Sequence, residues 1–151
     1  MSDLYNTIAQ RWRQDGISVR PGVSLDVIAA FEARYHVRLS GDILDYFLAL
    51  DGMPEYATDS HLHSFWALDR VRLVQEELND VYPERFDYPD CFVIGDHCIW
   101  CFGWAVELSK LPSKTSGPVY IVPGQRDGGN QIADTFQDFL ERYAEDPGSI
   151  F

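Results

Sequence analysis

The chain has 151 residues, 46% of them hydrophobic and 14% aromatic. A domain of this size buries roughly 68–70% of its unfolded surface, so neither disulfides nor metal are needed for folding. Twenty-four acidic residues against twelve basic ones leave a net charge of −12, which repels phosphate backbones and disfavours direct nucleic-acid binding.

Leu4, Ile8 and Trp12 mark one stripe of a first helix, which Asp15-Gly16 ends. Residues Val19 to Val23 read as a linker with Pro21-Gly22 as its turn. Two amphipathic helices follow between Ser24 and Gly52. Ile28, Phe31 and Tyr35 form the inner stripe of one, and Ile43, Leu44, Phe47 and Leu48 that of the other. Ser24 and Ser40 stand at N-cap positions, and Asp51-Gly52 is the stop. Met53 to His63 loses periodicity and reads as a loop, and loops carry binding residues more often than packed elements do.

Ser64 to Leu68 is expected to be a short strand. Asp69 then caps a helix with Val71, Val74 and Leu78 inward and Glu76, Glu77 and Asp80 outward. Tyr82 to Asp90 is a second polar loop. Cys91 to Gly95 is apolar throughout, which suits a strand covered on both faces. From Cys98 onward the alternation places Trp100, Phe102, Trp104, Val106 and Leu108 on one face. Ile99, Cys101, Ala105 and Glu107 take the other, with Gly103 at a bulge or close approach. Ser113 to Gly117 is a turn, Val119 to Val122 a strand, and Gly124 to Asn130 a glycine-rich connection. A last helix turns Phe136, Phe139, Leu140 and Tyr143 inward. Asp134 and Gln137 are placed as its capping box, and Asp146-Pro147-Gly148 ends it. Helices, then a meander of strands, then a closing helix give the α+β class, with a central, mainly antiparallel sheet flanked by N-terminal helices and a C-terminal helix.

No apolar run approaches the roughly 18 residues of a membrane span, and Met1 to Gln10 has no basic segment of the signal-peptide kind. The expectation is a single cytoplasmic domain over residues 1–151, its three cysteines (Cys91, Cys98, Cys101) kept reduced.

Reactive chemistry finds little support. His61 and His63 with Cys98 and Cys101 supply zinc-ligand types. On an extended strand, however, residues three apart face opposite ways, so Cys98 and Cys101 would chelate only across a turn. His97 and Cys98 are strand neighbours and face apart, so adjacency does not make a dyad. Neither G-x-S-x-G nor H-E-x-x-H occurs. No catalytic residue, cofactor or metal is expected. The row Trp100, Phe102, Trp104 is either the core face of the sheet or, at one of its tryptophans, an exposed anchor for a partner.

Several motifs together resemble the SMI1/KNR4 (SUKH) family. They are Ile28 with Phe31-Glu32, then Leu39, then Phe47-Leu48 before Gly52. Phe65-Trp66 with Leu68, Phe92-Val93-Ile94-Gly95-Asp96 and Gly117-Pro118-Val119-Tyr120 follow, and Ile132-Ala133 with Phe136 and Phe139-Leu140 completes the series. Leu39-Ser40 stands where the family usually has Leu-Pro, Asp51-Gly52 where it has Asn-Gly, and the stretch after Gly95-Asp96 is bulkier than its usual hairpin. The resemblance implies an SMI1/KNR4-like α+β fold without a family active site. It also implies an immunity protein that binds and neutralises a bacterial toxin, possibly a nuclease, or alternatively a regulatory interaction protein. Phe31, Glu32, Leu39, Phe47, Gly52, Trp66, Gly95, Gly117, Tyr120 and Phe136 are then structural positions. A basic toxin domain would meet the acidic loops and aromatic anchors: Glu55, Tyr56, Asp59, His61, Glu84, Asp87 and Asp90, with Trp100 and Trp104.

Overall fold

The computed structural model describes residues 2–39, 41–78, 88–124 and 129–151. Helix α1 (Asp3–Gln14) is capped by Ser2 and buries Tyr5, Ile8, Ala9 and Trp12 on one face. Helix α2 (Leu25–Tyr35) starts where the Ser24 hydroxyl accepts the Val27 N–H at 3.3 Å, as the sequence predicts, and ends at His36 in the left-handed region. Helix α3 (Asp42–Ala49) has Gly41 at its N-cap; the Ser40 cap lies outside the described residues. Its buried face is Asp42, Ile43, Tyr46 and Phe47, so Leu48 points outward, contrary to the sequence stripe. Tyr46 takes the inner place because its ring wedges between Phe47 and Phe136.

The strands are β1 (His63–Phe65), β2 (Arg72–Leu73), β3 (Cys91–His97), β4 (Phe102–Glu107), β5 (Val119–Val122) and β6 (Gln131–Ala133). Among the described residues they form one antiparallel sheet in the order β1-β3-β4-β5-β6, with β2 also paired to β3. Helix α4 (Val74–Leu78) begins later than the Asp69 cap implies, because Arg72 and Leu73 are taken up in pairing with Val93 and Phe92. The apolar residues of the predicted helix still point inward: Val74 and Leu78 on α4, and Val71 before β2, are all buried. Asp80 and most of the second polar loop lie outside the described residues. Strand β6 was not expected from sequence, since three residues give no periodicity to read.

Helix α5 (Phe136–Glu145) buries the predicted stripe of Phe136, Phe139, Leu140 and Tyr143. Its cap is Thr135, whose hydroxyl accepts the Asp138 N–H at 3.0 Å. The motif is one residue further on than the Asp134/Gln137 box, and Asp134 instead accepts from the Gln131 side chain. A 3-10 turn (Pro147–Ile150) closes the described chain.

One hydrophobic core gathers residues from all of α1 to α5 and from the central strands. Trp104 on β4 packs on Phe65 and Phe139, and Phe92 on β3 packs on Phe31 and Tyr35, so α2 and α5 cover the same side of the sheet. The motif residues serve this packing. Phe31, Leu39, Phe47, Trp66, Tyr120 and Phe136 are buried, and the Glu32 carboxylate accepts the Leu39 N–H at 2.8 Å, which ties α2 to the segment that enters α3. Gly52 has φ +61°, and a Cβ there would stand 2.4 Å from the Trp66 carbonyl carbon. Gly95 and Gly117 lie against the carbonyl oxygens of Ser64 and Glu107.

The alternation along β4 holds from Phe102, but Trp100 does not share it. Cys98, Ile99 and Trp100 have φ of 51°, 52° and 65°, a left-handed turn between β3 and β4. This turn folds the Trp100 ring over Gly103, where a Cβ would stand 2.8 Å from the ring. Gly103 is the close approach that the sequence allowed; the register shift in β3·β4 falls between Val93 and Gly95. Among the described residues no helix is long and apolar enough to cross a membrane.

Candidate functional site

Two loops meet the sheet at its β1–β3–β4 end, and buried carboxylates fix both. Asp59, in the loop before β1, accepts the backbone N–H groups of His61 (2.8 Å) and His63 (2.9 Å) on Oδ1. Its Oδ2 accepts the Tyr143 hydroxyl at 2.5 Å, and that hydroxyl accepts from Trp12 Nε1 at 2.9 Å. Burial, followed by donation to Asp59, pushes the Tyr143 phenol far above its ordinary value, so it stays a donor. Asp59 is 3% exposed and therefore leaves the set of partner-steering acids: it shapes the loop instead.

Next to it, His63 is fully buried. Its Nε2 lies 2.7 Å from the Pro147 carbonyl, which can only accept, so Nε2 carries the proton. Burial pushes the ring below its usual range, and in the neutral ring Nδ1 accepts from His97 Nδ1 at 3.0 Å. His61 is exposed. Among the described residues no group of three or more His, Cys, Asp or Glu is placed to hold a metal ion.

Asp96 is the second organiser. Its Oδ2 accepts Trp66 Nε1 at 2.7 Å, and its Oδ1 accepts the Trp100 backbone N–H at 3.3 Å. The Arg70 guanidinium lies over the Trp66 ring, 3.9 Å from its centroid, and 3.8 Å from Asp96 Oδ2. Trp100 stands edge-on to Trp66 and donates its Nε1 to Glu77 Oε1 at 3.1 Å; Glu77 in turn binds Arg72. Trp100 is thus a half-buried, doubly tethered aromatic at the protein surface, which is what a preorganised anchor requires.

Beside this cluster runs a groove of about 390 Å³, lined by Arg34, Glu55, Asp69, Arg70, Val71, Arg72 and Glu77. Each arginine already has an acid: Arg34 faces Glu76 at 3.6 Å, Arg70 faces Asp96 and Arg72 binds Glu77. Glu55 and Asp69 are exposed and have no ion-pair partner among the described residues. After internal pairing the groove is therefore negative.

Of the residues singled out from sequence, Glu55 lines this groove, Trp100 adjoins it through Glu77, and Tyr56 beside Glu55 is 77% exposed. Asp90 is exposed at the opposite end of β3 from Trp100. Trp104 is fully buried, its Nε1 donating to the Ile150 carbonyl at 2.9 Å, so it is core and no anchor. Glu84 and Asp87 lie outside the described residues. Asp69, Arg70, Arg72 and Glu77 were missed as groove residues. Nothing local marks them: Arg70-x-Arg72 is repeated as Arg11-x-Arg13 on α1, and the groove forms only when the segments carrying Arg34 and Glu55 reach it.

The model of the SMI1 / KNR4 family (SUKH-1) matches residues 22–142. No curated protein and no solved structure matches the chain.

Proposed function

The chain belongs to the SMI1/KNR4 family, and from that premise we propose that it is a non-enzymatic binding module, an immunity protein that captures a basic bacterial toxin domain in the cytoplasm. Residues 1–151 act in this reading as one family domain. The observation that carries the proposal is the groove beside Trp100. Its arginines are neutralised within the protein, and Glu55 and Asp69 are left to receive Lys or Arg side chains of a partner. The net charge of −12 accelerates encounter with such a partner and penalises acidic competitors. Trp100, held by Asp96 and Glu77 before binding, loses little further freedom on contact, and slow dissociation follows from such anchors. Stoichiometric neutralisation at nanomolar affinity requires about −12.3 kcal/mol.

The test is co-expression with the toxin encoded beside the chain. Wild type is expected to rescue growth and to co-purify with the toxin. Glu55→Lys combined with Asp69→Lys is expected to abolish rescue while leaving the melting temperature unchanged, since both side chains are exposed and unpaired within the described residues. Failure of the wild type to rescue or to form a complex counts against the immunity reading; full rescue by the double variant removes the groove from it.

A further inference from the structure

The turn between β3 and β4 brings two thiols together that an extended strand would hold apart. The His97 carbonyl accepts the Cys101 N–H at 2.9 Å, which closes the turn. The Cys98 N–H is held by the Leu62 carbonyl at 2.9 Å, and the Trp100 N–H by Asp96. Within this frame the Cys101 thiol donates to the Cys98 carbonyl at 3.4 Å, across the turn. Cys101 is exposed and Cys98 half-exposed, whereas Cys91 is fully buried on β3.

The backbone here is costly. L-residues rarely take the left-handed region, and Ile99, with its branched Cβ, takes it at φ 52°. Such outliers persist where the surroundings over-determine them, and here the outcome is a C-x-x-C pair closed within a single turn, the Cys101 sulfur folded back on the Cys98 backbone.

We propose that Cys98 and Cys101 form a thiol–disulfide switch, a vicinal dithiol that exchanges with low-molecular-weight disulfides and closes as an intramolecular disulfide. In the first step the Cys98 thiolate attacks a disulfide such as glutathione disulfide. The S–S bond of the oxidant breaks, one glutathione leaves as thiolate and takes a proton from water, and a mixed disulfide remains on Cys98. In the second step Cys101, having given its proton to solvent, attacks the Cys98 sulfur and expels the other glutathione. The protein loses both thiol hydrogens and both halves of the oxidant end as thiols, so the protein is oxidised and the glutathione disulfide reduced. The Cys101 S–H is engaged by the Cys98 carbonyl at 3.4 Å, so Cys98 makes the first attack and Cys101 resolves the mixed disulfide. The adjacent Cys98 also pushes the Cys101 thiol above its ordinary value. In a reducing cytosol the pair rests as the dithiol and closes under disulfide stress. The residues that the crosslink encloses are Ile99, 79% exposed, and Trp100, so closure acts on the side chains this turn presents. The switch rests on the turn alone and is independent of what the groove binds.

The experiment titrates the full reduced chain with mixtures of reduced and oxidised glutathione. Exchange is quenched by alkylation in denaturant, which also opens the buried Cys91 to the reagent, and the products are read by intact mass and by peptide mapping. Wild type is expected to lose both turn thiols together, to fall in mass by two hydrogens without retained glutathione, and to leave only Cys91 alkylated. Cys98→Ser and Cys101→Ser are each expected to keep a glutathione adduct on the remaining turn cysteine, and a reductant restores all forms. Stable glutathione adducts on wild type, or free turn thiols in a mixture that fully glutathionylates either single variant, would overturn the proposal. Because the wild-type chain supplies the decisive reading, a folding defect in a variant does not rescue it.

Discussion

Asp42 shows how much one buried side chain organises. Its Oδ1 accepts the backbone N–H groups of Ile43 and Ser116 at 2.9 and 2.8 Å, and its Oδ2 accepts the Ser116 hydroxyl at 3.1 Å and the Gln137 N–H at 2.9 Å. One carboxylate therefore joins the start of α3, the turn before β5 and the first turn of α5. Hydrogen bonds to a charged group contribute about 1.5–3 kcal/mol each and are not additive. Asp42→Ala, which also strands buried donors, is expected to lower unfolding free energy by about 3 kcal/mol or more in urea titrations. His63 makes a second prediction. Burial holds its folded-state affinity for protons below that of the unfolded ring, whose ordinary value is 6.5. As pH falls below that value, the unfolded chain binds a proton that the folded ring refuses. Stability then declines until the folded ring also titrates, and is highest above the unfolded value. The groups facing His63 are Asp59, which favours its protonation, and His97 and His61, which oppose it. Unfolding free energy is expected to drop between pH 7.5 and 5.5 in wild type and to drop less in His63→Gln, whose amide can still donate to Pro147.

At the scale of elements, the glycine after α3 tests whether a family motif reports packing or chain flexibility. Gly52 has φ +61° and no room for a Cβ beside the backbone of Trp66, whereas Gly16, after α1, has φ +80° and open space around it. Gly16→Ala is expected to cost only the left-handed penalty of about 1 kcal/mol, and Gly52→Ala at least twice that. For a chain of this length about 1 kcal/mol corresponds to roughly 2–4 °C, so thermal melts resolve the pair. Equal shifts would mean that the segment after α3 yields without disturbing the sheet. The β3–β4 turn shows the opposite device. There, non-glycine residues take the left-handed region because Leu62, His97 and Asp96 hold their backbone groups, and this aims Trp100 away from the face of Trp104.

For the molecule as a whole, stability and recognition occupy different places. Phe47 is 1% exposed and touches Tyr46. Phe47→Ala is expected to cost about 3–5 kcal/mol, with partner affinity restored wherever the variant remains folded. Unchanged melting with lost partner binding would reverse the assignment of α2 and α3 as scaffold. The recognition surface proposed here is electrostatic in approach. Its association rate is therefore expected to fall steeply as salt shortens the roughly 10 Å Debye length at 0.1 M, while dissociation changes little. A stopped-flow series in salt separates the two.

The amino-acid sequence by itself determined the α+β class, the buried stripe of α5, part of those of α1 and α2 (Leu4 and Tyr35 are only partly buried, and Tyr5 and Ala9 join Ile8 and Trp12), a strand from Cys91 to Gly95 that the structure extends to His97, the strand Val119–Val122, and the family. Each of these is written in local spacing: a 3.6-residue stripe, an apolar run, a cap, or motifs in fixed order. Tertiary structure alone decided the rest. Asp59 and Asp96 look like surface acids until partners distant in the chain, Tyr143 for one and Trp66 for the other, bury them. The groove is negative only because its arginines are paired, Arg72 with Glu77 in the lining and Arg34 and Arg70 with Glu76 and Asp96 beyond it, a result that composition cannot supply. Cys98, Ile99 and Trp100 read as strand because none is a residue that announces a left-handed turn. Hydrogen bonds to Leu62, Asp96 and His97 impose that turn, and with it the direction of Trp100 and the contact of the Cys101 thiol with the Cys98 carbonyl. Periodicity reports which face a side chain takes on its own element; what waits at that face is set by the rest of the chain.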